Sequence, residues 1–222
     1  MSEAIWVTLQ LATVTVILLL LIGTPLAWWL AGTRSRFKAP VEAITAIPLV
    51  LPPTVLGFYL LILMGEHGLI GEFWRVLFDH PLSFTFAGLV VASCIYSLPF
   101  VVQPLQAAFE QLDRNAIEAA WTLGASRRRT LFTIVIPQAR RGFLTAIVLG
   151  FAHTLGEFGV VLMVGGSIPG ETKVMSIAIY EYVETLQFDQ AHWLSLILLG
   201  FSFLVLWLVY TLNRHKQVGR WT

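Results

Sequence analysis

Charge is what this chain has least of. Asp, Glu, Lys and Arg make up 12% of its 222 residues against 57% hydrophobic, and the mean hydropathy is +0.77. Soluble domains carry roughly 25% charged residues, so this chain cannot cover itself with a water-compatible surface and lipid must be part of its solvent. Cysteine is nearly absent as well. Cys94 stands alone, which excludes an internal disulfide framework, and its apolar setting reads as packing. The net charge of +1 gives no basis for a nucleic-acid partner. A phosphate-gripping G-x4-G-K-[ST] loop is missing: Gly165 to Gly170 has the glycines but is followed by Glu171-Thr172. There is no metal-spaced Cys/His cluster and no G-x-S-x-G, and His153 and Glu157 stand one turn apart without further ligands. The expectation is a non-catalytic membrane subunit, with no metal and no cofactor of its own.

What is present is apolar sequence in long runs. A helix needs ~20 mostly apolar residues to cross the hydrocarbon. Five stretches qualify, at about 5–30, 41–64, 84–108, 142–164 and 192–212. The opening Met1-Ser2-Glu3-Ala4 is acidic and the run behind it reaches Leu30 through Trp28-Trp29, so it reads as a permanent span rather than a cleaved signal. Twelve of the 14 Lys and Arg fall in three segments: Arg34, Arg36 and Lys38; Arg114, Arg127, Arg128, Arg129, Arg140 and Arg141; and Arg214, Lys216 and Arg220. Loops 65–83 and 165–191 are acidic instead. By the positive-inside rule the N-terminus is outside and the C-terminus inside, and five spans satisfy that parity. Met175–Leu186 reads as a sixth, short amphipathic or re-entrant element.

Proline breaks the regularity of two spans. Pro48, Pro52 and Pro53 precede Gly57 in the second, and Pro99 and Pro104 lie in the third. Each removes a backbone hydrogen bond, which lipid tolerates only where neighbours or a watery cavity satisfy the freed carbonyl. Both an ordinary kink and a bent helix lining a solute path fit. Five helices are few to enclose such a path, and a symmetric homodimer would place it on a two-fold axis.

The largest segment assigned to the inner side is 109–141. Phe109–Leu123 reads as one helix, Gly124 interrupts it, and Ser126–Ile136 is helical until Pro137. Ala119 and Ala120 would let another surface approach closely, and Glu118 offers a carboxylate to an arginine across an interface. An amphipathic hairpin bound to anionic headgroups through its arginines fits the same residues. Glu118-Ala119-Ala120, three residues, Gly124, nine residues and Ile134-Val135-Ile136-Pro137 resemble the EAA loop of binding-protein-dependent ABC importer permeases, departing from it only in Ile136 where the family has leucine. The resemblance covers residues 8–212 and implies an all-α type I ABC importer transmembrane domain with a cytoplasmic tail at 213–222. It implies that Glu118, Ala119, Ala120, Gly124, Ala125, Ile134 and Pro137 form a coupling helix seated on a separate ATPase. Two ATPase copies, carrying the ATP and magnesium, would drive a homodimer in the bacterial inner membrane through alternating access.

Glu157 is the one acidic residue well inside a span. An intramembrane carboxylate is a functional candidate by default, and a structural glutamate tying helices together is the competing reading. The runs Pro48–Gly57, Leu155–Gly159 and Ile168–Thr172 resemble molybdate permeases of the sulfate/molybdate/tungstate branch. That likeness implies molybdate as solute, with tungstate and sulfate as alternatives, and an extracytoplasmic oxyanion-binding protein as partner. Pro52, Pro53, Thr54, Thr154, Gly156 and Glu157 are the candidate path or gate residues. No Lys or Arg lies deep in a span, so hydroxyls such as Thr54, Ser93, Ser97 and Thr154 would pass the anion weakly. An ATP-independent channel or secondary transporter is the alternative from another class; it predicts inverted repeats or ionisable residues along a midplane path.

Overall fold

The computed structural model describes residues 2–214, and the expected cytoplasmic tail lies outside the described residues from position 215 on. These residues are helical without a strand, in the order α1 (Ser2–Gly32), α2 (Lys38–Val50), α3 (Pro53–Met64), α4 (Leu69–Phe78), α5 (Phe86–Glu110) and α6 (Arg114–Thr122). There follow α7 (Arg127–Thr130), a π-helical turn (Leu131–Val135), α8 (Ile136–Leu155), α9 (Gly159–Gly165), α10 (Met175–Glu184) and α11 (Phe188–Arg214). Among the described residues four helices are long and apolar enough to span a bilayer: α1, α5, the run Arg127–Leu155 and α11. The α2–α3 pair also qualifies, but it is bent by 114°.

The core is a three-helix packing of α1, α5 and α8. Helix α1 is apolar on every side, as a membrane span must be. It buries Val7, Leu11, Val16, Leu19, Gly23, Ala27 and Leu30 and turns Trp6, Ile17, Leu21 and Ile22 outward. Helix α8 meets α5 through a stripe of small buried residues at four-residue spacing: Gly142, Ala146, Gly150 and Thr154. In lipid, apolar side chains gain little by leaving one apolar neighbour for another, so close backbone approach drives association. A methyl at Gly142 would lie 2.2 Å from the Ala108 Cβ, and one at Gly150 would lie 2.8 Å from a Val101 methyl.

Three sequence expectations need correcting. The second and fourth spans are not single helices: the second breaks at Leu51–Pro52, where proline locks an extended backbone. The fourth starts at Arg127 and breaks at Gly156–Phe158, ahead of α9. Nor is Phe109–Leu123 one helix. Helix α5 ends at Glu110 and α6 begins anew behind Asp113, whose carboxylate accepts the Asn115 and Ala116 N–H groups at 3.0 and 3.4 Å. Finally, Pro137 does not stop its helix. A proline ring clashes with the carbonyl four residues back. The π-helical turn gives room there, the Ile136 N–H reaching Leu131 O, five residues away. The helix therefore runs on from Arg127 to Leu155.

Candidate functional site

Two places gather the residues singled out by sequence: a helical turn beyond α5, and a hollow between the broken helices. At the first, α6 stands on Ile117, which is buried in the main core, while Glu118 and Ala119 face solvent. Glu118 borders a hollow of about 210 Å³ whose walls include Trp28, Phe109, Arg114 and Trp121. Gly124 ends the helix. Its φ is +81°, its N–H reaches Trp121 O at 2.9 Å, and the Ala125 N–H reaches back to Ala120 O at 2.9 Å. That pair of bonds is a Schellman cap, which places a left-handed residue at the position Gly124 holds. Ser126 then caps the next helix, its hydroxyl accepting the Arg129 N–H at 3.3 Å. Arg127, Arg128 and Arg129 are exposed on that first turn, and Ile134 packs half-buried against the core. Six of the seven expected coupling residues thus belong to one helix–turn–helix resting on the core. Pro137 is set apart, lining a different hollow between α5 and α8.

The second place brings Pro53 and Thr54 of α3 to Gly156, Glu157 and Gly159 at the α8–α9 break, around a hollow of about 510 Å³. Close contact is possible because Gly159 lacks a side chain: a methyl there would lie 2.9 Å from the Pro53 Cβ. Pro52 caps α3 and is exposed. Glu157 is only 3% exposed. One carboxylate oxygen accepts the Ser93 hydroxyl at 2.7 Å and its backbone carbonyl accepts the Ser176 hydroxyl at 2.5 Å, while Oε1 is buried without a partner. This side chain ties α5 to the α8–α9 break, and its backbone ties the break to α10.

The hydroxyls expected to pass an anion divide. Thr54 lines the hollow, but Ser93, Ser97 and Thr154 are buried in the helix packing. Ser97 bonds His153 Nδ1 at 2.9 Å and Thr154 at 3.2 Å, and the Thr154 hydroxyl donates to Gly150 O at 2.9 Å. They hold helices together in this conformation.

Beyond α9, Thr172 staples the 165–172 loop, donating to Gly165 O at 2.7 Å and accepting from the Ile168 N–H at 3.0 Å. Glu181 of α10 accepts from both Ser167 and Lys173. Burial pushes its carboxyl up, but the two hydrogen bonds and the ammonium charge outweigh this and hold it below its ordinary value.

Residues 23–217 match the family described as the binding-protein-dependent transport system inner membrane component. The chain belongs to this family. Two of its relatives are molybdenum transport system permease proteins ModB. The one from Azotobacter vinelandii is 58% identical over 213 residues, covering 96% of this chain and 94% of that protein. The Escherichia coli K12 protein is 37% identical over 183 residues, 82% and 80% of the two chains. A solved bacterial ABC transporter involved in import of the polysaccharide alginate shares the fold, with a TM-score of 0.75 at 16% identity over 97% of this chain and 79% of that one.

In this transport component, sequence reasoning underrated His153. Its spacing to Glu157 reads only as a weak ligand pair. His153 instead lies against Phe100, ring centroids 3.9 Å apart, with Tyr96 at 4.6 Å, and forms a wall of the hollow. The signal was available: His153, Gly156 and Glu157 share a short run with a helix-breaking glycine. Ser176 carried no such signal, because its partner is a backbone carbonyl supplied by the break.

Proposed function

We propose that this chain is the permease subunit of an ATP-driven importer that moves molybdate inward by alternating access. The observation that carries the reading is the α6–Gly124–α7 feature: a capped, core-mounted helical turn presenting Glu118 and Ala119 at the spacing of a coupling segment. Its energy would enter through a separate ATPase, two copies with their ATP and magnesium, seated on this feature. Molybdate is supported by the full-length likeness to molybdenum permeases; tungstate and sulfate are the solutes it must be tested against.

The transmembrane domain would comprise residues 8–212, with five spans when the bent α2–α3 pair counts as one. Its N-terminus would be outside and the 213–222 tail in the cytoplasm of a bacterium bounded by this inner membrane. Two copies would enclose the path between their Pro53–Thr54 and Gly156–Glu157 regions, with an extracytoplasmic oxyanion-binding protein delivering the anion. The test is reconstitution with the partner ATPase and binding protein, followed by uptake of labelled molybdate. Uptake should require ATP hydrolysis and fall on Glu118→Ala. Uptake persisting without hydrolysis would instead establish a channel or secondary transporter, and equal uptake of sulfate would refute molybdate selectivity.

A further inference from the structure

The α5 and α8 faces that wall the intramembrane hollow continue along both helices. On α5 and its C-cap the sequence Tyr96, Pro104, Ala107, Gln111 follows one side; on α8 and its C-cap so does Gly156, Ala152, Thr145, Arg141, Gln138. Both sets step by three, four, seven or eight residues, the repeat of a single helix face. The near ends, Thr145 and Ala152, are two turns or ~10 Å apart. At the α8 end this face opens into a second hollow of about 680 Å³, the one that Pro137 lines.

That second hollow sets a polar side against a wall of Pro104, Ala107, Ala108 and Leu112. Gln111, Gln138, Arg140, Arg141 and Thr145 border it and no carboxylate does. The ion pairs among the described residues are Lys38 with Glu42 and Glu110, and Lys173 with Glu181, so neither arginine has an acidic partner there. Its geometry is held. Gly142 lies flush against Ala108, Gln138 Oε1 accepts the Asp113 N–H at 3.3 Å and so leaves its amide N–H groups free, and the Thr145 hydroxyl is bonded to Arg141 O at 2.9 Å. Two guanidinium forks match the oxygens of a tetrahedral oxyanion, which a lysine pair would bind only as point charges.

We propose that Arg140 and Arg141, with the amides of Gln111 and Gln138, form an oxyanion site at the inner mouth of the α5–α8 groove, occupied by the transported dianion as it leaves. The proposal rests on the permease reading, since only then is the groove a solute path. It supplies positive charge near the start of α8 on exposed side chains that water screens, so binding is weak and salt-sensitive. A lipid headgroup phosphate has the same chemistry and is the rival occupant.

The test uses the complete permease–ATPase complex in phosphatidylcholine nanodiscs, without binding protein, and equilibrium binding of labelled molybdate. Wild type should bind saturably, more weakly as salt rises, and Arg140→Gln/Arg141→Gln should bind about ten-fold or more weaker. Arg140→Lys/Arg141→Lys should retain more than the glutamine pair. Should the double variant fail to assemble, the single variants carry the comparison. Binding that is unchanged in the glutamine variants overturns the site. So does loss of binding in phosphatidylglycerol nanodiscs accompanied by headgroup retention on wild type and not on the variant. Stimulation of ATP hydrolysis by molybdate-loaded binding protein, measured on the same wild-type preparation, separates the two failures. If stimulation is present the permease reading stands whatever the site does, and if it is absent that reading falls and the site with it.

Discussion

Replacing Gly124 isolates one physical term. Its φ of +81° lies in the left-handed region, yet a Cβ placed there meets nothing within 4 Å. Gly124→Ala therefore introduces no clash, and its whole cost is conformational, ~1–2 kcal/mol for an L-residue forced left-handed. Asparagine tolerates that region better, so Gly124→Asn should cost less than Gly124→Ala despite its larger side chain. Valine, branched at Cβ, should cost most. An energy of 1–2 kcal/mol shifts the population of the capped turn by roughly 5–30-fold. The assay is hydrogen exchange of the Ala120–Ser126 amides in the assembled complex, alongside binding-protein-stimulated ATP hydrolysis. Protection at the Gly124 and Ala125 N–H groups should fall in the order Gly, Asn, Ala, Val, and coupling should follow it. If alanine matches glycine, or asparagine is worse than alanine, then side-chain volume at a docking surface controls this position and the cap argument is wrong.

Other perturbations probe the remaining contacts. Gly142→Ala overpacks the α5–α8 contact and should lower stability by roughly 1–3 kcal/mol, read as a lower melting temperature in detergent; Ala108→Gly in the same chain should restore most of it. Ser93→Ala removes the hydrogen bond to Glu157 and leaves that buried carboxyl without a side-chain partner, costing ~1–3 kcal/mol; an unchanged melting temperature would mean water replaces the hydroxyl. Glu181 is held below its ordinary value, so the stability it adds is complete above the unfolded value of ~4.3 and is lost as pH falls through its lowered one. Hydrogen exchange of residues 166–184, corrected for intrinsic rate, should therefore rise only in that acid window, and Glu181→Gln should remove the pH dependence. Spin labels at Gln138 and Ile147, both beyond the π-helical turn, should keep one separation with and without nucleotide on the partner ATPase if α8 moves as a unit.

The fold was legible in the sequence wherever one physical rule acted alone. Apolar run length found α1, α5 and α11 within a few residues of their ends, because burial in lipid depends on composition over a long window. Spacing found the turn at Gly124, since Gly124 has a conformational duty that neighbouring residues do not share. The failures come where two rules compete. Pro137 reads as a stop, but a five-residue hydrogen-bonded turn before it absorbs the missing N–H, and nothing in Leu131–Val135 announces that. Ser93 and Ser97 read as solute ligands because a hydroxyl in a span needs a partner; whether the partner is a passing anion or a facing helix depends on rotation about α5, which only packing determines. Asp113 was legible in principle as a helix cap, yet Phe109–Leu123 has no proline or glycine to mark the break it serves.

The corrected course of α8 bears most on how the two candidate places communicate. Had the helix ended at Pro137, motion of the α6–α7 turn would need relay through loops and side-chain contacts to reach the hollow at Glu157. Instead one helical run of 29 residues extends from Arg127 to Leu155, spanning ~40 Å at 1.5 Å per residue. Its first turn adjoins the Schellman cap, and the residues after its last turn are Gly156 and Glu157. If the α6–α7 turn is where the ATPase docks, as proposed, a push on it displaces the wall of the hollow through this one helix, as a lever. The points of give are at its two ends: the π-helical turn, whose hydrogen bonding is already non-standard, and Gly156, exposed and without a Cβ. Between them the Gly142, Ala146 and Gly150 stripe forms a smooth seam against α5, closed at its Gly156 end by the Ser97 bonds to His153 and Thr154. Small residues present no interlocking side chains, so the two helices can shift along it at little steric cost. A rigid bar with compliant ends and a smooth bearing is what a transporter needs in order to turn an event at its inner surface into movement at mid-membrane.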